Sequence, residues 1–593
     1  MGQMRIAKPI VGLVLAGAVL GATAGIVPGQ QPPTTDNLVG VWRAKKHLGP
    51  EVRGTLTIER DAARWAAEIA GRSAPVRADG DSIHLELAGG EGSFRGHIKD
   101  GKIFGHWIQP PVTVYDCRFA TPVTLIALSP GRWRGIVTPL DDEFTLYLPI
   151  ALKSDGTLSA FLRNPEFNLG HTLAVVERAE LDGRVVKLVG RPSEDGPEVV
   201  AAQGIYDADR QVLSISIPQA GGTYDFTRAG PVDEVVFYPR PKGSSSYVYR
   251  PPLAEDDGWP VGTIDDAGIS REMIGRFVQM LIGTPMDSSS APDIHAVLIA
   301  RHGKLVLEEY FHGMHREALH DTRSAAKSLT SVLTGAAILH GEPIRLSTPV
   351  YQTMYTRAPD DPRKAAITVE HLLNMSSGLD CDDGNPASPG HEMTMQTQTE
   401  QPDWYRFALD QKMVRAPGEL PVYNSAGPNL VGGVLARTTG RWLPDLFRDF
   451  VAEPMQIRRY AMNLTPTGDA YMGGGVHFRP RDFMKLAQMV LDGGRWHGRQ
   501  IVSTEWADRS TAPLRKWPPL HYGYLWWVKE DYPWQGGTVR AFFAAGNGGQ
   551  VAMAVPELDL VVACYGGNYS HPAGFLFTRV YVPKWILPAV NKD

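Results

Sequence analysis

The chain has 593 residues, 43% of them hydrophobic and 21% charged, with 59 basic against 64 acidic side chains and a formal net charge of -5. That length and apolar content suffice for two or three globular units, each with its own core. The near-balanced charge, with no dense basic run, excludes the electrostatic footprint of a nucleic-acid binder, and three cysteines, at 117, 381 and 564, provide no disulfide framework.

In chain order, Arg5 and Lys8 precede an apolar stretch over 9–27, and Ala22-Thr23-Ala24 supplies small residues for cleavage. This is the pattern of an export signal over 1–30. Cleaved, it leaves a periplasmic or secreted protein; retained, the same run would be a membrane anchor, the one route to membrane contact. Over 31–250, alternating runs at 55–58, 82–87 and 212–217 are punctuated by Gly turns such as Asp79-Gly80 and Asp182-Gly183, which predicts antiparallel β-structure. Gly40-Val41-Trp42-Arg43 is echoed by Gly131-Arg132-Trp133-Arg134, so the region reads as two small β-sheets or half-barrels. Prolines, acids and Gly258 then mark 251–264 as a linker.

From 265 to 593 the texture changes. Strands at 295–300 and 305–310 form an opening hairpin, helical stretches follow, strands return at 539–544, 551–555 and 560–564, and a closing helix over 575–586 is interrupted near Pro583. Sheet at both ends with helices between predicts an α/β domain: a mixed antiparallel sheet with helices on both faces, preceded by the all-β region.

Three stretches of this second domain carry chemistry. Ser324-Ala325-Ala326-Lys327 is the chain's one Ser-x-x-Lys and opens an apolar helix that ends at Gly341. Residues three apart share a helix face, so Lys327 Nζ comes within reach of Ser324 Oγ. Burial would disfavour the ammonium, leaving an amine to take the serine proton. Tyr423-Asn424-Ser425 precedes another helical stretch, and Asn547-Gly548-Gly549-Gln550 joins two β-rich runs. The acidic run 380–385 lacks the alternate spacing of a calcium loop and reads as solvated loop. Gly-x-Ser-x-Gly, His-Glu-x-x-His and phosphate-loop motifs are all missing from the sequence.

These motifs, in this order, resemble the serine β-lactamase and penicillin-binding-protein superfamily in its class C and esterase-like branch. The stretches 368–379, Gly473-Gly474-Gly475 and Tyr522-Gly523-Tyr524 extend the resemblance. It implies Ser324 as acylated nucleophile, Lys327 as its activating partner and Tyr423 as second proton handler. It also implies an oxyanion hole from the N–H groups of Ser324 and Gln550, and substrate contacts from Ser425, Asn547, Gly548 and Gly549. No metal or cofactor is called for. Two positions depart from the pattern: Ser425 stands where Asn is usual, and neutral Asn547 stands where Lys or His is usual. A missing cation weakens the hold on a substrate carboxylate and directs the expectation toward the carboxylesterase and 6-aminohexanoate-oligomer hydrolase branch. The expected function is an exported serine hydrolase acting through an acyl-enzyme on a small ester or amide. The alternative is a slow or non-catalytic penicillin-binding-like protein that senses a cell-wall or other extracytoplasmic ligand.

Overall fold

The computed structural model describes residues 34–592, except 62–63, 113–116, 167–174, 192–195, 219–220 and 244–245. The expected export signal lies outside the described residues. Among the described residues no helix is long and apolar enough to cross a membrane.

The all-β region forms two closed barrels rather than half-barrels. In the first, Gly40–Gly49 pairs with Asp142–Leu152 on one side and Gly222–Arg228 on the other, closing an eight-stranded ring. Between its first two strands the chain makes a second ring, here the inserted barrel, from Gly54–Asp61 to Arg132–Val137. Each strand of this ring pairs with the next, and the last returns to the first, with Ile58 opposite Trp133. The Trp-containing repeat marks one strand of each barrel: Trp42 is buried in the first core and Trp133 in the inserted one. Closure removes the free edges that a pair of open sheets would leave.

The inserted barrel is not separable from the α/β domain. Its strand Arg118–Ser129 extends beyond the ring and pairs with Tyr460–Leu464, which pairs with Val476–Phe478, which pairs with His320–Asp321. The predicted linker is likewise packed rather than loose. Trp259 is buried and donates its indole N–H to Arg481 O (3.0 Å), Asp257 pairs with Arg481 (3.2 Å), and Gly262 hydrogen-bonds Leu305 at the sheet edge. A buried aromatic and a buried ion pair anchor a segment whose Pro, Gly and acid content alone suggests a free chain.

The α/β domain centres on an antiparallel eight-stranded sheet running from Lys304–Tyr310 to Arg515–Trp517. Its inner strands Gln550–Val555 and Leu560–Gly566 are buried at every position because both faces are covered. In Leu560–Gly566, Val561, Ala563 and Tyr565 enter one core with the helices Ala326–Leu339, Ala426–Thr439 and Pro480–Leu491. Leu560, Val562 and Cys564 enter the other with Arg271–Ile282 and the terminal helix Phe577–Ile586, which carries Pro583.

A buried polar seam joins the first barrel to this domain. Arg163 pairs with Asp293 (3.3 Å), His312 Nε2 lies 3.3 Å from the same carboxylate, and His295 bridges Pro165 O (2.9 Å) and His320 (2.8 Å). Burial alone would push the Asp293 carboxyl up, but Arg163, His312 and His295 outweigh it and hold it below the usual range. Burial pushes His312 down to about 4 and His320 well below its ordinary value. At these two histidines the unfolded chain, where they titrate near 6.5, therefore binds more protons than the folded one between pH 6.5 and 4. Stability is expected to fall as pH drops through that window and to be insensitive to these groups above it. Thermal melts from pH 8 to 4 are expected to show this decline, with a shallower slope in His312→Asn; a flat wild-type profile would contradict it.

Candidate active site

Ser324 sits at the end of the sheet that reaches the inserted barrel. After His320–Asp321, Thr322 donates its N–H (3.1 Å) and hydroxyl (2.5 Å) to Val476 O. Arg323 then adopts φ +48°, a left-handed conformation that costs a non-glycine residue about 1–3 kcal/mol. Asp321 holds it there, accepting the Arg323 N–H (2.8 Å) and pairing with its guanidinium (2.9 Å). Ser324 follows in a 3-10 turn, Arg323–Ala325, that leads into the helix Ala326–Leu339. The strand Gly537–Gly546 presses against this turn, and a Cβ on Gly546 would meet Thr322 O at 2.2 Å. Glycine there permits the close approach.

Lys327 is buried and donates to two hydroxyls, Ser324 Oγ and Ser425 Oγ, both at 2.9 Å. Ser425 donates its own hydroxyl proton to Asp383 Oδ2 (2.7 Å). Nζ lies 5.0 Å from the centre of the Tyr423 ring. Burial alone would push the ammonium down, but Tyr423, Glu392 and Asp383 outweigh it and hold Lys327 above the ordinary lysine range. The upward direction runs against the expectation that burial would leave a neutral amine.

One of the carboxylates responsible, Asp383, lies in the run expected to be a solvated loop, and the other, Glu392, lies just beyond it. Asp383 is buried; its N–H donates to Tyr423 O (2.9 Å), and its Oδ1 accepts the Glu392 N–H (2.9 Å). Glu392 accepts from the Tyr471 hydroxyl (2.6 Å). The two acids titrate together. Burial and the Glu392 charge raise Asp383, whereas Lys327 and the Tyr471 hydrogen bond overcome burial and hold Glu392 down. Asp383 thus fixes both the backbone of Tyr423 and the side chain of Ser425. Sequence reasoning missed both acids, since burial of a short acidic run has no local signature.

The remaining predicted residues divide. Ser324, Tyr423, Asn547 and Gly548 line one cleft of about 1900 Å³. Ser425 is fully buried, so it clasps Lys327 rather than meeting substrate. Gly549 and Gln550 lie behind the cleft wall: Gln550 is fully buried, opposite Gly546 in the hairpin, and its amide donates to Asn547 O (3.2 Å) and Gly566 O (2.6 Å). Gln550 props the turn from behind and is absent from the lining of the cleft on which Ser324 stands. Asn547 stands on the cleft, with its side-chain oxygen accepting the Ser570 N–H (2.8 Å). A stacked aromatic wall of Tyr423 and Trp527 (5.8 Å between ring centres), with Trp517 edge-on to both, faces the opening. Cations are present on the cleft too, at Arg323, Arg415, Lys516, Lys529 and Arg579. Among the described residues no cluster of three metal-ligating side chains occurs.

The family model for Beta-lactamase matches residues 284–566, so this segment resembles the serine β-lactamase-like superfamily. The chain is 26% identical over 263 residues to the 6-aminohexanoate-dimer hydrolase of Paenarthrobacter ureafaciens, covering 42% of this chain and 64% of that protein, just under two thirds of its length. Among solved structures, it is similar to a putative 6-aminohexanoate-dimer hydrolase from Bacillus anthracis (TM-score 0.41, 18% identity, 49% of this chain and 78% of that one). It is also similar to EstCE1, a hydrolase with promiscuous acyltransferase activity (TM-score 0.42, 18% identity, 52% and 95%).

The rate at which a fluorophosphonate labels Ser324 reports its nucleophilicity. Lys327→Ala and Tyr423→Phe are each expected to slow labelling by about a hundredfold or more, the scale for losing a positioned charge or proton handler. Because both act on one hydroxyl, the double variant is expected to lose far less than the product. Multiplicative losses would show that Tyr423 only packs against the site.

Proposed function

We propose that the chain is an exported serine hydrolase that cleaves esters or amides through an acyl-enzyme on Ser324. The observation that carries this reading is the pair of 2.9 Å hydrogen bonds from Lys327 Nζ, one to Ser324 Oγ on the cleft and one to Ser425 Oγ behind it. The superfamily and the relative named as a 6-aminohexanoate-dimer hydrolase support it. Export rests on the pattern of residues 1–30.

In this mechanism Lys327 stays protonated. Its ammonium stabilises the developing Ser324 alkoxide, and Tyr423 takes the serine proton and returns it to the leaving group. Acylation forms the Ser324 ester and releases the alcohol or amine. Water, activated by the same tyrosine, then breaks that ester. The negative oxygen of each tetrahedral intermediate is met by the Ser324 N–H at the start of the helix, with the Asn547 N–H, on the cleft wall, as its partner.

The substrates we propose carry an uncharged acyl group. Asn547 offers an amide where a cation would grip a carboxylate, and the guanidinium of Arg323, next to Ser324 in sequence, is engaged with Asp321 and with the Tyr569 ring. A charge-assisted contact is worth about 1.5–3 kcal/mol, or roughly 10- to 150-fold. Purified protein is therefore expected to hydrolyse short-chain chromogenic esters at least about tenfold more efficiently than a chromogenic cephalosporin, with Ser324→Ala abolishing both. Equal efficiency on the cephalosporin would replace the esterase reading with a β-lactamase one, and undiminished turnover by Ser324→Ala would remove the nucleophile.

A further inference from the structure

The cleft is walled partly by residues from outside the superfamily segment. Cys117 and Phe119, at the start of the inserted barrel's longest strand, line the same space as Ser324. Phe119 pairs with Asn463 across the sheet and packs edge-on against His477 at 5.1 Å. His477 pairs in turn with Asp321, two residues before Arg323. The barrel wall is thus tied to the nucleophile turn by a continuous hydrogen-bonded sheet rather than by a flexible contact. At about 1900 Å³ the cleft is about twice the upper end of the usual range for small-ligand pockets, about 1,000 Å³. Tyr423, Trp517 and Trp527 give it a second, aromatic wall. A short-chain ester would leave most of this surface wet.

We propose that the inserted barrel is a specificity element: Cys117 and Phe119 form an end wall of the catalytic cleft that sets the size of the apolar acyl group accepted, which makes esters or amides of long or bulky apolar acids the substrate class. The inference rests on the hydrolase reading above. Phe119 backs this wall from a buried apolar cluster that it forms with Val112 and Ala461, so the wall favours an apolar group.

Cys117 is a natural handle for the test, because it is half-buried on the cleft whereas Cys381 and Cys564 are buried in the core. The full-length protein is treated with a bulky maleimide, and kcat/KM is measured on p-nitrophenyl esters of increasing acyl length. The ratio of dodecanoyl to acetyl ester is expected to fall at least about tenfold on labelling, the scale on which pocket contacts discriminate substrates. Cys117→Trp is expected to give the same fall without reagent, and Cys117→Ser to lose sensitivity to it. An unchanged ratio in protein labelled at Cys117, or in Cys117→Trp, would overturn the inference while leaving the hydrolase reading intact. A Cys117 that reacts only after denaturation would also overturn it, by showing that the thiol does not face the cleft. Absence of turnover on every ester would overturn the hydrolase reading itself, and this inference with it.

Discussion

The buried ammonium of Lys327 is the constraint on which the rest of the site depends. A cation taken out of water is tolerated only where opposite charge and hydrogen-bond acceptors meet it. Here two hydroxyls accept its protons and Asp383 and Glu392 supply the countercharge. The same Asp383 accepts from Ser425 and donates its backbone N–H to the carbonyl of Tyr423. Charge balance and the placement of both reactive hydroxyls are therefore one arrangement. Removing Asp383 would take away a charge and the Ser425 hydroxyl's acceptor at once.

A second constraint links this clasp to the barrels. Arg323 in its left-handed conformation, the glycine contact at Gly546 and the short strand His320–Asp321 all position Ser324, and that strand is the last member of a sheet that begins in the inserted barrel. The first barrel is held independently through the Arg163–Asp293 pair and its histidines. Two barrels that could have been appended modules are thus fastened at separate places, one of them within the wall of the cleft.

Much of this was legible in the sequence because it is local. The Ser324–Lys327 spacing fixes a shared helix face, alternation marks the strands of the barrels, and unbroken apolar runs mark strands covered on both faces. The rest depends on distant segments meeting. Asp383 and Ser425 are 42 residues apart, and the acidic run around Asp383 resembles any solvated loop until the Tyr423 loop closes over it. The pairing of Phe119 with Asn463 and the closure of each barrel have no local signature either. Gln550 stands behind the cleft wall through the register of a tight hairpin, in which each residue's facing is set by its pairing partner. The direction of the Lys327 shift failed for the same reason as Asp383: burial was foreseeable, the countercharge was not.

The protonation state of Lys327 tests the account most directly. In protein carrying isotope-labelled lysine, the side-chain resonance that disappears in Lys327→Arg reports it by nuclear magnetic resonance. The account predicts an ammonium at neutral pH that persists to pH 10.5, the ordinary lysine value, or beyond. A resonance that titrates to the neutral amine with a midpoint at or below about pH 8 would make Lys327 the base and contradict it.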